Sequence, residues 1–467
     1  MAVSRRLIVR TLSAVALGAA CLACGCRALS GLASRFRTED PEFIAAYRDI
    51  ARQAETDRVA FLCEKARAVS PIERTKLAAL AWELSPSAAA PVDMETLAGF
   101  KGELVVSAYV PARLASRLSA MGFAQACSNE FAVLWRSADK GGPPAPARTP
   151  AWLSRDRFAD ARLPSPNGFA VYAGKARLMM MSGGVPEGFF TSPAYAVCQP
   201  FYPPGMALLA ALPLAVSSRH LDLVLSSVVA LLMLLLAWRL ASGDGRLTRG
   251  AMALLMMLSP VGVGLACGFY AEPAAALMLA CGSGLIAKGK VRVGLVVAGL
   301  AALFRPEGLA LAFALWAASV SCVARSKGSF AESVVNLVIC TSPGVLWMAF
   351  ALSQGAGMQD VSFLQCPSVA RMSEFVCCVA KANTAGFAEI GILPLVAFTL
   401  SRAQRRVPFV VFCAVALLSG TLSAGFNASP YYSWVLDNCV PRYSWMLAAA
   451  LPLLSCKLVR GESPDGA

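Results

Sequence analysis

The fold of this chain is decided by LDLVLSSVVALLMLLLAWRL, the stretch at residues 221–240. A helix rises about 1.5 Å per residue, so a stretch of this length crosses a hydrocarbon core of roughly 30 Å. The rest of the chain is similar in character, because 57% of its 467 residues are hydrophobic and 15% are charged, with a mean hydropathy of +0.59. A soluble protein carries about 25% charged residues. The sequence therefore predicts an all-α polytopic membrane protein.

Apolar windows of this kind predict about ten transmembrane helices. They lie at about 7–29, 221–240, 251–270, 273–288, 291–306, 308–324, 333–354, 387–401, 407–425 and 443–459. Lysine and arginine concentrate in the cytoplasmic loops of membrane proteins. With the N-terminus inside, the cationic clusters fall on the cytoplasmic side at 246–249, 288–292, 325–327, 402–406 and 457–460. We expect a multi-pass protein of the inner (plasma) membrane with both termini in the cytoplasm.

The chain divides into five predicted segments. They are a signal-anchor helix at 1–29, a small α+β extracytoplasmic insert at 30–150, an outer juxtamembrane loop with helices at 151–220, a membrane domain at 221–460 and a cytoplasmic tail at 461–467. Within the insert, helical periodicity covers 38–97, strand patterns cover 102–111 and 130–137, and a Pro/Gly linker ends it at 140–150. The insert carries no chemical motif, which favours a structural or partner-binding role.

Composition also excludes several function classes. The net charge of +14 is explained by cytoplasmic loops, and no basic stripe interleaved with aromatics indicates a nucleic-acid partner. His220 is the only histidine, which argues against Ser-His-Asp, Cys-His and His-ligated metal chemistry. Most of the sixteen cysteines lie in apolar segments, and spacing leaves open whether any of the others pair. Acid–base chemistry must therefore fall to carboxylates.

Short motifs follow one another in order along the chain after the insert. They are Tyr172 with Lys175-Ala176-Arg177, YPPG at 202–205, Ser259-Pro260 leading to FYAEP at 269–273, FRPEGL at 304–309, and PRY at 441–443 followed by AAALPLL at 448–454. In their order and predicted membrane side, the motifs resemble the GT-C superfamily of polyprenyl-phosphate-sugar-dependent glycosyltransferases. That superfamily includes the protein mannosyltransferases and the lipid A aminoarabinose transferase. The resemblance covers about residues 160–460, and it does not account for the insert.

The resemblance implies an acidic residue in the first outer loop that acts as a base toward the acceptor hydroxyl or binds a metal. At the matching position this chain has Asn167, which cannot take a proton. Nearby, Asp160, Asp156 and Glu187 could replace it, although each also fits a solvated loop charge. Glu272 lies in a short outer turn where the family places an acidic residue, and it also fits a cap on the helix beside Pro273. The predicted catalytic residues are Glu272, Asp160 and Glu187.

Arg305 and Arg442 are exceptions to the charge pattern of the loops, since both fall at the outer ends of predicted spans. A guanidinium offers a planar fork of donors that matches phosphate oxygens, and glycosyl transfer from a polyprenyl phosphate develops charge on that phosphate. We expect Arg305, Arg442 and Lys175 to bind the donor phosphate. The two arginines also fit snorkelling to lipid headgroups or pairing with Glu307 and Asp437.

Substrate contacts are expected from Asn167, Tyr172, Tyr202 and Tyr270. The predicted function is transfer of a hexosyl or pentosyl group from a polyprenyl-phosphate donor to a lipid, glycan or protein acceptor of the cell envelope, at the outer face of the inner membrane. No cofactor is certain, and the need for a divalent metal stays open. The alternatives are a catalytically inactive GT-C relative that binds a lipid carrier, and a lipid or solute transporter. A transporter predicts an internal repeat and mid-membrane charges, and the sequence displays neither.

Overall fold

The structure is a computed structural model of this chain. It describes residues 42–55, 59–63, 90–98, 102–107, 110–138, 168–191, 198–216, 270–323, 330–356, 366–382, 403–427 and 432–455, with the single residues 73, 76, 77, 80, 100, 195, 232 and 265. The chain separates into two compact units. The sheet unit comprises Arg37–Leu225 and Ala351–Gln359, and the helical unit comprises Met1–Phe36, Ser226–Phe350 and Asp360–Ala467. A mostly helical chain with one small sheet is confirmed.

The sheet unit contains a five-stranded mixed sheet. Its strands are β1 (Val59–Leu62), β2 (Ala90–Val92), β3 (Glu103–Ser107), β4 (Phe123–Ser128) and β5 (Ala132–Ser137). Strand β1 pairs in parallel with β2 and β3, and β5 pairs antiparallel with β3 and β4, which gives the order β2-β1-β3-β5-β4. Helix α1 (Glu42–Gln53) precedes β1, and α2 (Ala112–Ala120) connects β3 to β4. The core of this unit includes Leu104, Leu118 and Trp135.

The helical pattern predicted over 38–97 is correct for α1 and wrong for β1 and β2. Helix α1 buries a stripe at Tyr47, Ile50 and Ala51, as an amphipathic helix should. Strand β1 is an apolar run of four residues, and runs this short do not separate strand from helix by periodicity. The strands predicted at 102–111 and 130–137 are confirmed as β3 and β5. The sequence of β4, FAQACS, has little alternation, and its pairing with β5 determines its conformation.

Two further helices of the sheet unit lie near the YPPG motif. A π-helical turn at Gly168–Ala173 continues as α3 (Gly174–Ser182), which ends at Gly183 in the left-handed conformation (φ 67°). Helix α4 (Gly205–Val216) begins at the glycine of YPPG. Both agree with the helices predicted there.

The helical unit contains the segments predicted as membrane spans. Its described helices are α5 (Glu272–Ala287), α6 (Val291–Gly299) extended by a 3-10 turn (Leu300–Leu303), α7 (Glu307–Val323), α8 (Phe330–Ser353), α9 (Val369–Lys381), α10 (Ala403–Gly425) and α11 (Tyr432–Leu447) extended by a 3-10 segment (Ala448–Ser455). Helices therefore occupy the predicted spans from 273–288 to 333–354 and at 407–425 and 443–459. The predicted spans at 7–29, 221–240, 251–270 and 387–401 lie almost wholly outside the described residues.

Two of the described helices are long and apolar enough to cross a membrane. They are α8 and the Arg406–Gly425 part of α10. Three shorter apolar helices accompany them, at Glu272–Ala287, Val291–Leu303 and Glu307–Ser321. Large apolar side chains on α8 face outward, with Leu346 67% and Val338 60% exposed.

Small residues allow these helices to approach closely. A Cβ atom added to Gly282 would lie 2.6 Å from the carbonyl oxygen of Gly294, and one added to Gly294 would lie 2.7 Å from that of Gly282. Gly299 meets helix α8 in the same way, because an added Cβ would lie 2.4 Å from the Cys340 carbonyl oxygen. Interhelical hydrogen bonds add to this packing, as where the Ser283 hydroxyl donates to the Ala449 carbonyl at 3.0 Å. Small residues at the contacts and such bonds allow these helices to pack closely.

Candidate functional site

Glu272 is the first residue of helix α5, and its side chain is fully buried. Pro273 at the start of the helix presets a helical backbone, and the positive end of the helix dipole favours a carboxylate there. The carboxylate, however, contacts arginines. Its Oε1 accepts a hydrogen bond from Arg442 Nη1 at 3.1 Å and lies 3.6 Å from Arg305 Nη2. The contacts of Glu272 therefore favour an ion-pairing role over that of a helix cap.

Arg305 is positioned by the tight turn between the 3-10 turn at Leu300–Leu303 and helix α7. Its backbone N–H donates to the Ala301 carbonyl at 3.2 Å, and its carbonyl accepts from the N–H of Gly308 at 2.9 Å. Gly308 is required by this geometry, since an added Cβ would lie 2.4 Å from the Ala301 carbonyl oxygen. Within the turn, Arg305 Nη2 donates to Glu307 Oε1 at 2.8 Å. The predicted alternative that Arg305 pairs with Glu307 is confirmed.

Arg442 reaches the same place from helix α11, directly after Pro441 inside that helix. Its guanidinium lies over the ring of Tyr270, 5.0 Å from the ring centroid, and its Nη2 donates to Cys439 Sγ at 3.4 Å. Cys439 precedes Arg442 by three positions, so both lie on one face of the helix. The side chain of Asp437, the other predicted partner, lies outside the described side chains.

We call Glu272, Arg305, Glu307 and Arg442 the charge cluster. Its two carboxylates and two guanidiniums have formal charges that cancel. Glu272, Arg305 and Arg442 lie in the interior with side-chain exposures of 0%, 6% and 11%, and Glu307 lies at its edge with 35%. Removing one of the three buried members would unbalance charges that water solvates poorly. Chemically, the cluster presents guanidiniums for an oxyanion beside carboxylates that can accept a proton.

Lys175 lies in the sheet unit, where it is almost completely buried. Its ammonium donates to the carbonyls of Tyr202 at 2.7 Å and Gln199 at 3.1 Å, and it lies over the Phe189 ring. Gln199 has a positive φ of 45°, so the lysine stabilises an uncommon backbone conformation next to the YPPG turn. Burial lowers the pKa of Lys175 to about 7, and burial raises the pKa of the nearby Cys198 thiol to about 12. These contacts indicate a structural role for Lys175. Its predicted binding of the donor phosphate stays a prediction.

The structure brings together Glu272, Arg305, Arg442 and Tyr270, which are four of the residues predicted from sequence. The others that it describes belong to the sheet unit. Of these, Tyr172 is buried in the π-helical turn, Tyr202 is half-buried and Glu187 is exposed in a turn. Asp160 and Asn167 lie outside the described residues. Their predicted roles in catalysis and substrate binding stay predictions.

Cys439 is a member of the site that the sequence analysis does not single out. A signal for it is present, because it precedes Arg442 by three positions on a helix. As regards metals, the described part of the chain contains no group of three or more His, Cys, Asp or Glu side chains that could hold an ion.

No protein-family model matches this chain, and neither a curated protein nor a solved structure is significantly similar to it. The functional assignment consequently rests on the chemistry of the charge cluster.

Proposed function

We propose that this chain is a membrane glycosyltransferase that uses a polyprenyl-phosphate sugar donor. The proposal is carried by one observation: Glu272, Arg305 and Arg442 come from three separate parts of the chain and meet in one buried cluster. Buried guanidiniums suit the binding of a phosphate, because their planar N–H donors match the phosphate oxygens. The low dielectric of the interior strengthens this electrostatic interaction. A neighbouring carboxylate suits deprotonation of an acceptor hydroxyl.

In the proposed reaction, the acceptor hydroxyl oxygen forms a bond to the anomeric carbon of the sugar. The bond between that carbon and the phosphate oxygen breaks, and the polyprenyl phosphate leaves with the electron pair. Arg305 and Arg442 stabilise the charge that develops on the leaving phosphate. The hydroxyl proton passes to a carboxylate, and Glu272 is our candidate because it contacts both arginines. The acceptor is a lipid, glycan or protein of the cell envelope.

The proposed setting is the outer face of the inner membrane in a multi-pass protein with cytoplasmic termini. Support comes from the two helices long enough to span, from three shorter apolar helices beside them, and from the outward-facing apolar side chains of α8 and α10. Exposed apolar surface of this extent indicates a partner, and acyl chains fit helices of this length. The charge pattern of the loops supports the orientation.

A second candidate function is a non-catalytic relative that binds a lipid phosphate. One observation favours it: Glu272 Oε1 is already engaged by the two guanidiniums, so the carboxylate does not present that oxygen to an acceptor. The asparagine at position 167 points the same way, since the resemblance implies an acidic residue there. This candidate predicts phosphate binding without sugar transfer.

Sugar transfer by purified protein in lipid nanodiscs tests the proposal, with a radiolabelled polyprenyl-phosphate sugar and envelope extract as acceptor. Loss of an oxyanion-stabilising donor lowers turnover by roughly 10²–10³-fold, which is our expectation for Arg442→Lys. Arg371→Lys is the matched control, because Arg371 also stacks on a tyrosine, with 4.9 Å to the Tyr432 centroid, and lies outside the charge cluster. Equal activity of wild type and Arg442→Lys would reject the assignment, and phosphate binding with no transfer would establish the second candidate.

A further inference from the structure

Glu272 contacts two arginines through a single oxygen atom. Its Oε1 lies 3.1 Å from Arg442 Nη1 and 3.6 Å from Arg305 Nη2. An arginine–carboxylate pair is strongest when both oxygens share a two-bond fork with one guanidinium. Here the second oxygen, Oε2, is buried and meets no donor within the described part of the chain. A buried acceptor in this position is unfavourable, so Glu272 is an imperfect partner for the two arginines.

The same geometry suits a phosphate group better than a carboxylate. Two guanidiniums that arrive from different elements converge on one oxygen position. A phosphate can place one oxygen at that position and offer further oxygens to each guanidinium. It also brings negative charge to two arginines that pair with Glu272 and Glu307 in the absence of a ligand.

We propose that Glu272 Oε1 occupies the position of a phosphate oxygen, and that a phosphate monoester or diester displaces this carboxylate from Arg305 and Arg442 when it binds. The proposal rests on the proposed function, because it takes the charge cluster as the phosphate site. It assigns an order to the reaction. The donor phosphate first binds the two guanidiniums and displaces Glu272. The released carboxylate can then accept the proton of the acceptor hydroxyl.

The proposed exchange predicts whether Glu272→Gln strengthens or weakens the binding of the ligand phosphate. If Glu272 competes with the ligand phosphate, Glu272→Gln removes the competitor and leaves the arginine charges to the ligand. Binding then becomes tighter. If Glu272 only holds the arginines in position for the ligand, the same substitution weakens binding.

The experiment measures binding of farnesyl phosphate to the full chain in nanodiscs of a zwitterionic lipid. We expect Glu272→Gln to bind at least tenfold more tightly than wild type, with a larger rise of Tm on saturation. Glu272→Asp, which retracts the carboxylate by one methylene, should shift affinity in the same direction and serves if Glu272→Gln does not fold. Glu332→Gln is the matched control, since Glu332 pairs with Arg292 at 3.8 Å on the exposed surface. It should leave the affinity unchanged.

Two further arms identify the source of the phosphate. Inorganic phosphate should compete with farnesyl phosphate more effectively in Glu272→Gln than in wild type. Discs that contain phosphatidylglycerol test lipid headgroups, and a fall in farnesyl phosphate affinity there, largest in Glu272→Gln, would identify a headgroup as the displacing anion. Unchanged or weaker farnesyl phosphate binding in both Glu272 variants overturns the exchange.

Failure of this inference is distinguishable from failure of the proposed function. The proposed function is tested by comparing sugar transfer by wild type and by Arg442→Lys. The exchange is tested by whether Glu272→Gln raises or lowers the affinity for farnesyl phosphate. A chain that transfers sugar but binds farnesyl phosphate more weakly after Glu272→Gln retains the function and loses the exchange.

Discussion

Glu272 and Arg442 lie 170 positions apart in the chain, and their side chains meet with 3.1 Å between Oε1 and Nη1. The pair joins the start of helix α5 to the middle of helix α11 in the interior of the helical unit. Because both side chains are buried, replacing either one alone should destabilise the fold more than replacing both together. An ion pair on the exposed surface should not show this coupling.

We expect Glu272→Gln and Arg442→Gln each to lower the free energy of unfolding by about 3–5 kcal/mol, since each removes the 3.1 Å partner of a buried charge and unbalances the cluster. The double variant Glu272→Leu/Arg442→Met should recover part of that loss. Thermal unfolding in detergent measures both effects.

The exposed pair of Arg292 and Glu332, with 61% and 54% exposure, is the control for this cycle. Glu332→Gln should change the free energy of unfolding by about 0–1 kcal/mol, because water screens the pair. Equal losses for the buried and the exposed pair would contradict a cluster shielded from water.

Close helix packing predicts the effect of Gly299→Ala. The new Cβ would lie 2.4 Å from the Cys340 carbonyl oxygen, and backbone atoms of a neighbouring helix cannot move aside cheaply. We expect a loss of about 1–3 kcal/mol in the free energy of unfolding. Gly420→Ala is the comparison, because its Cβ meets the end of the Phe375 side chain at 2.8 Å, which can shift. Gly420→Ala should cost less than Gly299→Ala, because a buried ring shifts more readily than backbone, and a similar cost for both would refute the packing.

The buried Lys175 predicts a pH dependence of the stability of the sheet unit. Its pKa is about 7 in the folded chain against 10.5 for an ordinary lysine, so between these values the unfolded chain binds a proton that the folded chain does not. Stability then rises with pH from about 7, by up to about 1.4 kcal/mol per pH unit. Above pH 9 the raised pKa of Cys198 acts in the opposite direction, since the unfolded thiol loses its proton first. The rise should therefore end near pH 9.

Lys175→Met should remove this rise, as measured by Tm between pH 7 and pH 9. Lys288→Met, which replaces an exposed lysine, should keep it. An unchanged slope in Lys175→Met would show that the lysine does not lose its proton on folding.

Sidedness predicts which cysteines a membrane-impermeant maleimide reaches in spheroplasts. Cys377 is exposed on helix α9, which the loop charges place on the outer side, so peptide mass spectrometry should find it labelled. A cysteine introduced by Lys288→Cys, in the predicted cytoplasmic turn after helix α5, should react only after permeabilisation. The reverse pattern would put Glu272 on the cytosolic side and remove the proposed outer site.

Local patterns in the sequence determine a good part of this protein. The apolar windows predict helices α5 to α8, α10 and the end of α11 with its 3-10 extension, and the strand patterns predict β3 and β5. Arg305, Arg442 and Glu272 are already recognisable, because charges at the ends of predicted apolar spans are costly without a partner or a function. The structure corrects the position of Arg442, which lies in the middle of helix α11. Each of these signals depends on residues only a few positions apart.

The tertiary structure decided what local patterns do not contain. It paired Glu272 with Arg442 across 170 positions, arranged β1 and β2 in parallel beside β3, and buried Lys175 against the carbonyls of Gln199 and Tyr202. The physical reason is that periodicity reports which face of an element is apolar, whereas the identity of the partner depends on how the elements pack. The sequence identifies the charged residues, and the packing of the helices determines which of them form ion pairs.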